Sequence, residues 1–274
     1  MIKNSQRTLY GLDLQMHALN GREYKPLPNT TLNEKFGILI DKNKVSGLGL
    51  PTIKYYTIGV GGLNLIDGID TYSFSKHRPT DAGLFEHIPF VIRKTDNDLS
   101  PEDQLKYRFK KLETIKGVNY YCYYLKVINN EEMIDGLFQI DVMNSTPRLS
   151  KFNTNTDKLL NPIPRDPTLT MLDTENTSYV TKVTKYPFIL KSSELKEINN
   201  VLNILYGYDN TKNITEIGIC TGIDFRTEDG KTEAIMTQIS YHMEVEINTM
   251  YMSKVGDELI RSLEIGSQEI LVNE

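Results

Sequence analysis

From residue 235 to 247, apolar and polar side chains follow a period of two, interrupted only at Met236 and Thr237. Ile235, Ile239, Tyr241, Met243, Val245 and Ile247 share one parity, with Thr237 among them; Gln238, Ser240, His242, Glu244 and Glu246 take the other. In extended backbone, successive side chains point to opposite sides. A period of two therefore marks a strand with one apolar and one polar face. The run exceeds the usual strand of about 5–6 residues. Such a strand belongs to a large sandwich or barrel, or extends past its own domain.

Other segments agree with an antiparallel β protein. Lys106 to Ile128 reads as a hairpin: Tyr107 and Phe109 alternate with charge, Lys116-Gly117 lies in the turn, and Tyr121 to Ile128 is a continuous aromatic and aliphatic run. Ile53 to Gly59, Val91 to Arg93, Tyr179 to Leu190 and Ile214 to Ile223 are further strands. Phe36 to Ile40 is a shorter one. Ser100 as N-cap and Pro101 at the first helical position open a short helix. The clearest helix is 193–206. Leu195, Ile198, Val201, Leu202 and Leu205 form one stripe at helical spacing, a serine at 192 or 193 caps it, and Gly207 stops it. Val255 to Leu263 is a second candidate helix, and the tail from Glu264 a final strand. The expected fold is α+β and β-dominated: antiparallel sheets, sandwich- or barrel-like, with one or two short helices and long loops. Residues 1–35 show no clear period and read as an N-terminal arm, with 36–274 as a single β-rich domain.

Composition narrows the function classes. A chain of 274 residues with 39% hydrophobic and 24% charged residues can bury a sizeable core and is not disordered in character. The net charge of −5 argues against broad contact with a phosphate backbone, so no direct nucleic-acid partner is expected. Apolar runs are far shorter than the roughly 20 residues of a membrane span. The N-terminus has no apolar core of a secretory signal. Cys122 and Cys220 form no C-x-x-C and read as buried thiols in a reducing compartment.

The residues suited to chemistry do not assemble into a known pattern. Gly59-Val60-Gly61-Gly62 lacks the lysine of a P-loop and the third glycine of a dinucleotide fingerprint. It reads as a turn or a close approach to neighbouring backbone, and no cofactor is expected. His77, Glu86, His87 and His242 are the residues to test for metal or acid–base work. Glu86 and His87 are adjacent, so on a strand they face opposite ways; no metal site is expected. His87 reads as a hydrogen-bonded imidazole in a packed loop, and His242, on the polar parity, as solvated or at an interface. Glu244 and Glu246 share one strand face and could serve as paired carboxylates, although acids on an exposed face usually only solvate it. No catalytic residue is assigned.

Residues 144–178 change character. Asn, Thr, Pro and Asp dominate, and Pro147, Pro162, Pro164 and Pro167 oppose a regular helix or central strand. Spaced through the stretch are Leu149, Phe152, Leu159, Leu160, Ile163, Leu169, Met171 and Leu172. Burying each would be worth roughly 1.5–3 kcal/mol, so the segment reads as an extended arm docking on another surface. Those eight residues are the candidate interface.

The stretches KHRPTDAGLFEHIPFVIRKTDNDLSPEDQLKYRF and ILYGYDNTKNITEIGICTGID resemble virion structural proteins of large tailed bacteriophages, over Tyr72 to Asp224. The resemblance implies a non-enzymatic component of a neck, tail or baseplate. It also implies assembly in the host cytoplasm, residence in the virion and other virion proteins as partners, in a symmetric ring of copies. It transfers no functional residue. The rival class is a carbohydrate-active enzyme or carbohydrate-binding module on a β scaffold, using Glu244 and Glu246. A ligand-binding β module of the host is a third.

Overall fold

The computed structural model describes residues 5–38, 47–65, 72–129, 133–144, 146–155, 157–161, 177–227, 230–245 and 258–271. The fold is β-dominated α+β with antiparallel sheets, as expected. It divides into two compact units, residues 1–128 with 188–261 and residues 129–187 with 262–274. The sequence reading had a single domain here. No linker-like composition announces the second unit, because its strands follow directly on those of the first.

The first unit is built on an eight-stranded sheet. Along its path lie β1 (Ser5–Arg7), β13 (Thr232–Glu244), β12 (Glu216–Arg226), β2 (Thr52–Gly59), β8 (Val118–Val127) and β6 (Val91–Lys94). Two further strands, β5 (His87–Ile88) and β7 (Tyr107–Ile115), pair with β2 and β8, and β3 (Leu63–Leu65) and β4 (Tyr72–Phe74) form a separate two-stranded sheet. The β7–β8 hairpin turns at Lys116 and Gly117, both at positive φ (50° and 79°), which matches the twist of a two-residue hairpin loop. Core side chains include Tyr55, Ile58, Phe109, Tyr123, Leu125, Ile217 and Ile239. Helix α3 (Pro101–Gln104) starts where Ser100 Oγ accepts from Asp103 N at 3.1 Å. Helix α5 (Ser192–Tyr206) buries Leu195, Ile198, Val201 and Leu202. Its cap is Lys191 rather than a serine, because the Glu194 carboxylate reaches back to accept the Lys191 N–H at 3.0 Å.

Strand β13 is apolar and polar by parity, as expected, but neither face is wet. Gln238, Ser240 and His242 are as buried as Ile235 and Ile239. The cover comes partly from residues 1–35, which are not an arm. They form β1, α1 (Leu9–Asn20) and α2 (Leu32–Phe36), and both helices pack on β13. Polar pairs make the join: Thr8 Oγ1 donates to the Ile239 carbonyl at 2.6 Å, Tyr24 to Gln238, and Gln238 Nε2 to Thr30 Oγ1 at 2.6 Å. Asn33 donates to the Ala234 carbonyl at 2.8 Å and accepts from Thr237 N at 3.0 Å. It thereby bridges Met236, whose φ of 49° interrupts the regular ladder. Buried polar groups must be paired, and here Gln238 pairs with the N-terminal segment, the Ser240 hydroxyl with Thr221 of β12 and His242 with Asp81. Phe36 closes α2, with Gly37 in the left-handed C-cap, and so does not open a strand.

The second unit holds a four-stranded antiparallel sheet in the order β10 (Thr146–Lys151), β9 (Ile134–Met143), β11 (Thr177–Leu190) and β14 (Leu259–Leu271). Thus 259–263 is strand, not helix. The segment expected to be irregular contains β10 and the short α4 (Asp157–Leu160). Pro147 sits within β10, opposite Val142. It is tolerated there because β10 is the sheet edge, where a missing N–H breaks no ladder bond.

Candidate functional site

The most unusual side-chain cluster in the first unit forms where β2 ends. Glu216, at the start of β12, is only 4% exposed. Four N–H groups converge on its carboxylate: Gly61 at 2.8 Å, Phe85 at 2.7 Å, Glu86 at 3.2 Å and His77 Nε2 at 2.7 Å. The glycines noted in the sequence make this possible. A Cβ on Gly59 would lie 2.6 Å from Glu216 Oε1, and one on Gly61 would lie 2.6 Å from Phe85 Cβ and 2.8 Å from Glu86 N. The close-approach reading of Gly59 to Gly62 therefore holds.

His77 is sandwiched. Its ring stacks on Phe85 at 4.1 Å and on His242 at 3.9 Å, with interplanar angles of 11° and 9°. Its Nε2 points to Glu216, and its Nδ1 lies 3.4 Å from the Asp81 carboxylate. His242 is buried rather than solvated. Its Nε2 donates to the Asp81 carbonyl at 3.0 Å, while its Nδ1 has no hydrogen-bond partner among the described residues. Burial, joined by the neighbouring His77, pushes His242 down to about 4. His87 accepts the Leu84 N–H on Nε2 at 2.9 Å, so the neutral ring carries its proton on Nδ1, 3.1 Å from Thr57 Oγ1. Burial, reinforced by Lys35, His242 and His77, pushes it down to about 3. Glu86 lies just before β5, and its carboxylate is held by Tyr206 and Lys212 rather than by His87. Burial opposes its ionisation, but Tyr206 and Lys212 outweigh that and hold the carboxyl below its ordinary range.

The sequence brought forward His77, Glu86, His87 and His242, and the structure gathers three of them, the histidines, in one neighbourhood. It missed Glu216, the residue that organises the cluster. The available signal was a lone acid opening the otherwise apolar Ile217–Ile223 strand. Chemically the cluster binds a loop: both nitrogens of His77 face carboxylates, and the donors on Glu216 leave it little freedom. Among the described residues no group of three His, Cys, Asp or Glu side chains could hold a metal ion. The side chain of Glu244, and Glu246 altogether, lie outside the described residues. Cys122 and Cys220 are buried, and burial pushes the Cys122 thiol up to about 12.

A shallow groove of about 210 Å³ runs between Pro101–Lys110 and Gly230–Glu233. It is smaller than the roughly 300–1,000 Å³ of a typical ligand pocket. Its cations are engaged: Arg108 pairs with Asp224 at 2.6 Å, and Lys110 pairs with Asp98 and lies over the Tyr121 ring.

Two apolar surfaces complete the picture, one in each unit. On α1, Tyr10 and Leu14 face the core while Leu9, Leu12, Met16 and Leu19 stay exposed, Leu19 at 76%. Their spacing of three, four and three residues is that of a coiled-coil seam. In the second unit, strand registers place Ile134, Phe138, Ile140, Val142, Pro147, Leu149, Tyr179 and Val183 on one sheet face, with Lys151, Thr181 and Lys185 among them; Ile134 and Leu149 are its exposed large apolar residues among the described residues. The opposite face carries Asp135, Gln139, Asp141, Ser178 and Lys182, joined by hydrogen bonds, together with Leu137, Val180 and the exposed Met143. Leu149 is 64% exposed, and Leu159 and Leu160 on α4 are exposed as well, Leu160 at 90%. Phe152 is half-buried beside β9, its N–H bonded to the Leu137 carbonyl. Ile163, Leu169, Met171 and Leu172 lie outside the described residues. Among the described residues no helix is long and apolar enough to cross a membrane.

A family model matches residues 1–274, so the chain belongs to the family of unknown function DUF7208. No curated protein and no solved structure matches it.

Proposed function

We propose that this member of DUF7208 is a non-enzymatic structural subunit of a tailed-phage particle, held in place by contacts to several neighbouring chains. The observation that carries the proposal is the pair of apolar surfaces, the Leu9–Leu12–Met16–Leu19 stripe on α1 and the sheet face around Leu149. Contiguous exposed apolar patches mark interaction sites. Neither is large: a standard interface uses about 20–30 residues a side. Small, separate patches suit a subunit that gains its hold from many contacts in a ring of copies. The edge strand β10 favours docking by the sheet face over strand addition, since Pro147, Arg148 and Lys151 blunt the edge. The resemblance over Tyr72 to Asp224 supplies the kind of particle.

Quantitative mass spectrometry of particles purified after infection tests the proposal. The chain should be present at a fixed copy number that matches a ring symmetry. Its absence from washed particles would overturn the proposal.

A further inference from the structure

The geometry points to residues 75–90 being an acid-released latch, closed over β12 and β13 while the imidazoles of His242 and His87 are neutral, and opened when they take up protons. His242 is 2% exposed, and the latch itself covers it: His77 lies on its ring face and the Asp81 carbonyl takes its Nε2 proton. A second proton would sit on Nδ1, which meets no acceptor among the described residues. It would also place a cation 3.9 Å from the ring of His77. On His87, a proton at Nε2 would turn an acceptor into a donor facing the Leu84 N–H and would break that bond.

The charged and titratable groups around the pair come from several elements. His77 and Asp81 lie on the latch, Glu216 on β12 and Lys35 on α2. Asp81 and Glu216 favour a charge on His242, but burial and His77 outweigh them; Lys35 and both other histidines oppose a charge on His87. Opening the latch removes the cover from His242 and carries His87 into water. There each regains an ordinary imidazole affinity for protons, near pH 6.5. Acid therefore favours the open form. The anchors that opening breaks are the Glu216 carboxylate with its bonds to His77, Phe85 and Glu86, the bonds of the Glu86 carboxylate to Tyr206 and Lys212, and the backbone bonds of Pro79 to Leu9 and Glu86 to Val60. The latch does not depend on the docking role proposed above.

Hydrogen–deuterium exchange of the full chain at pH 7 and pH 5, corrected for intrinsic rates and read on peptides covering 75–90, tests this. Proton uptake by His242 alone should raise opening about twentyfold across that range, with His87 adding to it; peptides from the β9–β10 hairpin should not respond. H242Q keeps an N–H for the Asp81 carbonyl but cannot titrate, and should lose the His242 share. H242Q/H87Q should show a flat response. No acid response in the wild type, or an equal response in the double variant, overturns the latch. Should the double variant not fold, NMR titration of the wild-type histidines decides. His242 titrating below about 5 upholds the latch, and titration near 6.5 overturns it.

Discussion

At the scale of single residues, Glu216 carries the most. Three backbone N–H groups and one imidazole depend on it. Glu216→Gln would aim an amide NH₂ at donors and replace charge-assisted bonds by weaker or clashing ones. Bonds to charged groups are worth roughly 1.5–3 kcal/mol each. Because the amide keeps one acceptor oxygen, the net loss should be about 2–3 kcal/mol, lowering the melting temperature by roughly 5–10 °C, measured by calorimetry at pH 7.5. Gly61→Ala should act in the same direction, because its Cβ would press on Phe85 and Glu86. The histidines set a pH dependence of definite sign. His242 and His87 are depressed to about 4 and about 3 in the folded chain. Between those values and about 6.5 the unfolded chain binds more protons. Stability is therefore full above about pH 7, falls as pH drops through 6.5, and levels off only below 4 and 3. At pH 5 each histidine should cost on the order of 2 kcal/mol. Melts at pH 7.5 and pH 5 check this, and a chain as stable at pH 5 as at pH 7.5 would contradict it.

At the scale of elements, the join between the N-terminal segment and β13 rests on Asn33. Asn33→Leu keeps the volume but strands the Ala234 carbonyl and the Thr237 N–H, both buried. An unpaired buried backbone group costs about 1–3 kcal/mol, so urea unfolding should show a loss of roughly 2–5 kcal/mol. What the sequence made legible at this scale was local. The period of two in β13, the Lys116-Gly117 turn, the Ser100–Pro101 helix start and the stripe of α5 each follow from a few adjacent residues. What it hid was tertiary. Gln238 and His242 look solvated because their parity is polar, yet their partners lie far away in sequence, at Tyr24, Thr30 and Asp81. The outward stripe of α1 was obscured because Tyr10 and Leu14 make the helix apolar on two sides. The edge position that lets β10 hold Pro147 is likewise set by the sheet order and not by the strand itself.

At the scale of the whole molecule, the proposed role gives the exposed apolar surface to neighbouring chains, while the described polar cluster serves the chain's own packing. The buried cluster at Glu216 ties down a loop, while α1 and the β9–β10 face present apolar side chains outward. Surface substitutions away from packed features usually change stability by less than about 0.5 kcal/mol. L12D/M16D and L149D should therefore fold with melting temperatures close to wild type. The most direct measurement is particle assembly with the triple variant L12D/M16D/L149D supplied in place of the wild-type chain, followed by quantification of the chain in purified particles. The account predicts a folded variant that is missing from the particles, or present at less than about a tenth of the wild-type copy number, which corresponds to roughly 1.4 kcal/mol or more of lost docking energy. A folded variant incorporated at the wild-type copy number would contradict it.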